Sequence, residues 1–147
     1  MKENNNFSIY AKELQDFAAL LEEHIERSGK PSLAILFVNA DLDFKGINEL
    51  LNKEQIPHIG TSSAGELCNE SFSTGVYSGL FLYLPEESFK IYHSAESESG
   101  LSGKELGLFA KEAFDKPGIY MLLASKNTQT DQFIEEVQQQ NLSLIHI

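Results

Sequence analysis

The segment Gly60-Thr61-Ser62-Ser63-Ala64-Gly65-Glu66 holds the densest set of residues able to do chemistry in this chain of 147 residues. Two glycines bracket small residues, so backbone N–H groups and the hydroxyls of Thr61, Ser62 and Ser63 can face a ligand. The simpler use of the same pattern is a tight turn that needs glycine for its backbone alone. Gly60 and Gly65 have the spacing of a phosphate-binding loop, but Glu66 stands where that loop requires Lys, and a carboxylate there repels phosphate. Residues 61–65 approach the Gly-x-Ser-x-Gly turn that presents a nucleophilic serine, with Ser63 at its centre. Thr61, however, replaces the first glycine, whose missing side chain permits the strained turn.

A hydrolase would also need a base. His58 lies five residues before Ser63 on the expected strand, His93 falls on a second expected strand, and no Asp–His pairing follows from spacing. Cys68 lies just past the segment and offers an alternative nucleophile, although a lone cysteine is more often a small apolar filler. His24, His58, His93 and His146 show no i, i+4 pairing, and there is no second Cys, so neither a metal site nor any other cofactor is expected. Glu66 can accept a hydrogen bond from a ligand ammonium or brace the N–H groups of its own loop. Asn39 and Asp41 end the first buried strand, and Ser125 and Asn127 hold equivalent places after a later one. All four either line a ligand edge or serve as polar residues that start helices.

The chain carries 22 acidic and 11 basic side chains, a formal charge of −11. One Arg and ten Lys scattered among twice as many carboxylates exclude a polyanion-binding surface, and nucleic acid with it. The longest apolar runs, residues 33–38 and 119–124, are six residues each, well short of the roughly 20 that span a bilayer. The first residues lack the apolar core of a signal peptide, and a single Cys builds no disulfide framework, which points to the cytoplasm.

The elements that must position the segment follow from periodicity. Residues 8–28 place Ile9, Leu14, Phe17, Ala18, Leu21 and Ile25 on one face of an amphipathic helix closed by Gly29 and Pro31. Residues 33–38 read as a strand buried on both faces of a parallel sheet. Asp43 caps a helix with Ile47, Leu50 and Leu51 inward, and Pro57 to Gly60 form a second strand running into the small-residue turn: a βαβ unit, expected to be right-handed. Residues 75–84 and 89–97 read as an antiparallel hairpin, which makes the sheet mixed. A helix over 104–114 turns Leu106, Phe109, Ala110 and Ala113 inward, and Lys116-Pro117-Gly118 stops it. With an offset of 86, residues 119–124 and the helix bearing Phe133 and Val137 match the first strand and helix, suggesting a repeated unit. The expected fold is therefore α/β, a mixed sheet with flanking helices, in one domain over residues 1–141. Residues 142–147 form either a terminal strand or the in-frame translation of a sequencing-library adapter.

The strand Leu33-Ala34-Ile35-Leu36-Phe37-Val38, the following helix, the run from Ile56 through Glu66, and Gly75-Val76-Tyr77-Ser78-Gly79-Leu80-Phe81-Leu82 together resemble the N-terminal part of FIST domains. The resemblance covers about residues 8–141 and stops before the family's second glycine-rich segment and its C-terminal region. It implies a cytoplasmic sensory module that binds a small molecule, amino acids among the candidates, without catalysis. Its partners would be the missing C-terminal FIST region or a signalling output domain. The positions matching the family's turn are Gly60, Thr61, Ser62, Ser63, Ala64, Gly65 and Glu66. Two other readings stand beside it: a hydrolase using Ser63 or Cys68, and a protein-interaction domain.

Overall fold

A computed structural model of the chain describes residues 6–68, 71–93, 102–122 and 130–140. They divide into two compact units, Met1–Phe89 and Lys90–Ile147. The fold is α/β with a mixed sheet. In the first unit, strand β1 (Phe7–Ala11), helix α1 (Leu14–Ser28), strand β2 (Leu33–Asn39), helix α2 (Phe44–Lys53) and strand β3 (His58–Ser63) are followed by β4 (Glu66–Cys68), β5 (Ser71–Ser73) and β6 (Tyr77–Leu82). The sheet runs in the order β1-β6-β2-β3. β6 is antiparallel to both of its neighbours, whereas β2 and β3 are parallel and are joined through α2, the expected strand–helix–strand unit. β4 and β5 form a separate antiparallel pair.

The core explains why this arrangement holds. Alternate residues of β2 (Ala34, Leu36, Val38) pack with Ile9 and Ala11 of β1, with Tyr77 and Phe81 of β6, and with Phe17 and Leu21 of α1 and Ile47 and Leu51 of α2. Period-two burial along the strands and three- to four-residue spacing along the helices thus converge on one face of the sheet. The other face bears Ile35 and Phe37, which are half-buried, and Tyr10 and Leu80, which are exposed. On that face of β2 Leu33 alone is buried, so β2 is enclosed less completely than its unbroken apolar run implied.

Three differences from the sequence reading have physical causes. The first helix begins at Leu14, and residues 7–11 form a strand. Phe7, Ile9 and Ala11 alternate, and the step of five from Ile9 to Leu14 breaks helical spacing. Secondly, residues 89–93 form no strand. β6 lies between β1 and β2 and has both edges paired, which leaves none for a hairpin partner; residues 94–97 lie outside the described set. Thirdly, residues 119–122 of the expected later strand are not in a sheet, and 123–124 lie outside the described set. Ile119 and Met121 instead pack against the core of the second unit.

That second unit is built on helices α3 (Gly103–Ala113) and α4 (Thr130–Gln138), with Ala110, Phe133 and Val137 buried between them. A Cβ at Gly103 would collide with the Phe133 carbonyl oxygen, and one at Gly107 would lie 2.5 Å from Gln140 Cγ, so the two glycines let the helices approach closely. Ser102 caps the Glu105 N–H at 3.2 Å, and Glu136 reaches from α4 to accept the Gly103 N–H at 3.0 Å. The start of α3 is therefore closed from both sides.

Candidate functional site

Most of the small-residue segment is strand. Gly60, Thr61, Ser62 and Ser63 belong to β3, in register with Leu36, Phe37, Val38 and Asn39 of β2; the turn itself is Ala64 and Gly65, and Glu66 opens β4. The expected strand ending at Gly60 therefore runs on to Ser63, and the turn expected from Thr61 to Glu66 shortens to Ala64 and Gly65. The cause is the parallel ladder, which continues to the last residue of β2 and takes up the β3 groups that face it. The groups on the outer side face no other strand among the described residues, because β3 is an edge of the sheet. Gly60 is required there by close approach: a Cβ would stand 2.8 Å from Leu36 Cβ and 3.0 Å from its carbonyl oxygen. Gly65 lies beneath the ring of Phe72 on β5, and that ring is itself 70% exposed. Along β3, Gly60 and Ser62 are exposed while Thr61 and Ser63 are half-buried. Thr61 Oγ1 donates to the Ser62 carbonyl at 3.3 Å.

The neighbouring loop, between β2 and α2, is locked by its own polar groups. Asn39 is in register with Ser63, and its Oδ1 accepts the Asp41 N–H at 3.1 Å while its carbonyl accepts the Leu42 N–H at 3.0 Å. Asp43 caps α2 through the Gly46 N–H at 2.9 Å, as its side chain predicted. The Asp43 N–H in turn donates to the hydroxyl of Tyr77 at 3.0 Å. Tyr77 is 4% exposed and belongs to β6, so a buried phenol ties a third strand to the loop. Sequence reasoning placed Tyr77 in a strand but missed this role. The available signal was its position opposite Val38, which register alone reveals.

The carboxyl ends of β2 and β3 thus adjoin the Asn39–Asp43 loop and the first turn of α2, with Ser62 on the sheet face that α2 covers and Thr61 and Ser63 on the other. The charged groups there are chiefly the carboxylates of Asp41 and Asp43; Lys45 is directed to Glu49 at 3.5 Å. Such a set supports hydrogen bonding to neutral or cationic groups and disfavours phosphate.

The serine-nucleophile reading loses its nearest base. His58 Nδ1 lies 2.9 Å from the Ile56 carbonyl and Nε2 lies 2.9 Å from Asn48 Oδ1, so both ring nitrogens are engaged between β3 and α2. Five residues of extended strand separate His58 from Ser63 by about 16 Å and put their side chains on opposite faces. A base needs about 2.6–3.2 Å. Cys68 ends β4, opposite Ser71. His93 belongs to the second unit, and Ser125, Asn127 and His146 lie outside the described residues. Among the described residues no group of three or more His, Cys, Asp or Glu side chains is placed to hold a metal ion, and no helix is long and apolar enough to cross a membrane.

No protein-family model, curated protein or solved structure matches this chain.

Proposed function

We propose that the chain is a cytoplasmic sensory module of the FIST type that binds a small molecule without catalysis, using the carboxyl ends of β2 and β3. The observation that carries this reading is the parallel register that sets Ser62 and Ser63 beside Val38 and Asn39, with the start of α2 adjoining. Ligands of open α/β sheets bind at such strand ends. The outward backbone groups of β3 and the exposed hydroxyl of Ser62, on the sheet face that α2 covers, supply hydrogen bonds, while Thr61 and Ser63 lie on the opposite face. Asp41 and Asp43 bias the choice toward zwitterions and cations. Signalling to a C-terminal FIST region or an output domain requires that the ligand bind two conformations unequally. The engagement of both His58 nitrogens supports binding over hydrolysis.

The test is a thermal-shift series of the chain with each of the common amino acids. A binder at 100 times its dissociation constant adds about 2.7 kcal/mol to native stability. The expected result is a raised midpoint with at least one amino acid, abolished by Ser62→Ala. A flat series, or a shift that Ser62→Ala leaves intact, removes the proposal.

A further inference from the structure

The sheet of the first unit has two unlike faces. α1 and α2 pack on one, against Ala34, Leu36, Val38, Tyr77 and Phe81. The strand registers lay out the other in rows. Tyr10, Ser78, Phe37 and Thr61 stand side by side across β1, β6, β2 and β3, and Ser8, Leu80, Ile35 and Ile59 form the next row. Leu82 and Leu33 are paired in a third. Tyr10 is 49% exposed and Leu80 41%, while Ile35, Phe37, Ile59 and Leu82 are only partly buried.

No residue of these rows carries a charge, from one edge strand to the other. Asp, Glu, Lys and Arg make up 22% of the chain, and in this unit they gather on the outer faces of the helices, where Glu22, Glu23, Glu26 and Glu49 are exposed. A sheet face that works in water alternates toward polar and charged side chains, whereas this one is apolar at its centre and hydroxyl-bearing around it.

We propose that this face is an interface between two copies of the chain, packed sheet on sheet about a two-fold axis. Such an axis sets a surface against itself, so the surface must be self-complementary. In a chain with a formal charge of −11, a face holding carboxylates would repel its own copy, and this face holds none. A partner chosen by charge would be basic and would meet the helices instead. The two sheets would lie about 10 Å apart with strands within about 30° of each other, the spacing at which Phe37, Ile35 and Leu80 interdigitate with their counterparts. Four strands about 4.8 Å apart and about 17–20 Å long give a flat footprint of about 300–400 Å² per copy. That places the pair in the weak, exchanging class of complexes that bury less than about 1,200 Å² in total. Ser62 lies on the other face, so pairing and ligand binding use different surfaces.

Sedimentation equilibrium of the whole chain from about 10 μM to about 1 mM tests this, a range suited to pairs of micromolar to millimolar affinity. The weight-average mass should climb from 16.4 kDa toward twice that value and stop there. Because both copies are acidic, the dissociation constant should fall as sodium chloride rises from about 0.01 to about 0.15 M. Leu80→Glu sets a carboxylate into the pairing face of each copy and should raise the dissociation constant at least about tenfold, with an unchanged far-UV spectrum. A mass fixed at 16.4 kDa across the range overturns the dimer and assigns the face to a different partner. Growth beyond twice the mass, weaker pairing at the higher salt, or equal pairing in Leu80→Glu overturns it as well. Should that variant fold poorly, the amide resonances of the unmodified chain decide. Concentration-dependent shifts centred on Tyr10, Phe37 and Leu80 support the interface, and shifts centred elsewhere remove it.

Discussion

Tyr77 shows how a single buried polar group can connect the core to the candidate site. Its ring belongs to the apolar cluster, yet its oxygen accepts the N–H of Asp43, the residue that caps α2. Tyr77→Phe leaves the packing nearly unchanged and strips the acceptor from a part-buried N–H, which costs about 1–2 kcal/mol. Urea unfolding should show that loss with an unaltered dependence on denaturant concentration. A loss below a few tenths of a kcal/mol would mean that water replaces the hydroxyl, and the β2–α2 loop would then owe its order to Asn39 and Asp43 alone. Gly60 and Ser62 differ in the same instructive way. A side chain at Gly60 must displace Leu36, whereas Ser62 is exposed and its hydroxyl can be removed at little cost to the fold. Loss of ligand binding in Ser62→Ala therefore speaks to the site, while loss in any Gly60 variant would speak first to the sheet.

Among the elements, α2 ends in a way that invites a direct test. The Ile56 N–H bonds back to the Leu51 carbonyl at 2.9 Å and the Gln55 N–H to the Asn52 carbonyl at 3.0 Å, the paired bonds of a Schellman motif, with Ile56 and Leu51 both buried. Gln55 adopts the required left-handed conformation at φ 54°, where a side chain is strained. Gln55→Gly should raise stability by about 0.5–1 kcal/mol in urea unfolding, the relief of strain less the greater freedom of glycine in the unfolded chain. An unchanged or lowered midpoint would mean that the glutamine side chain stabilises the turn by more than its backbone costs. This helix was legible from sequence because its signals are local: Asp43 at the start, Ile47 and Leu51 four apart, Pro57 beyond the end. The β2 strand was legible for the same reason. β1 was misread because the apolar residue Ile9 was counted into the helix that follows, although its alternation with Phe7 and Ala11 is a strand signal. The partners of β6 were not legible, since pairing with β1 and β2 spans dozens of intervening residues and nothing local announces it. At the candidate site the residue types were readable, but the ladder that draws Thr61, Ser62 and Ser63 into β3 depends on how far β2 extends.

For the molecule as a whole, the dominant electrostatic fact is its excess of carboxylates. With a formal charge of −11 over 147 residues, compaction brings like charges together, and self-repulsion opposes the folded state. Three ion pairs work the other way among the described residues: Arg27 with Glu23, Lys45 with Glu49, and Lys53 with Glu54, at 3.7, 3.5 and 3.8 Å. All of these groups but the half-buried Glu54 lie largely in solvent, where such a pair contributes about 0.2–1 kcal/mol at most, and salt screens it too. The two effects respond to ionic strength with opposite sign, and their ranges differ. At 0.01 M salt the screening length is about 30 Å, so nearly every carboxylate of a unit repels every other; at 0.15 M it is about 8 Å, which silences distant repulsion while contacts under 4 Å keep part of their attraction. The thermal midpoint at pH 7.5, where His24 is neutral, should therefore rise as sodium chloride increases from 0.01 to 0.15 M. A falling midpoint would show that the few close pairs outweigh the summed repulsion, and a flat one that the carboxylates are spaced widely enough for their repulsion to match those pairs.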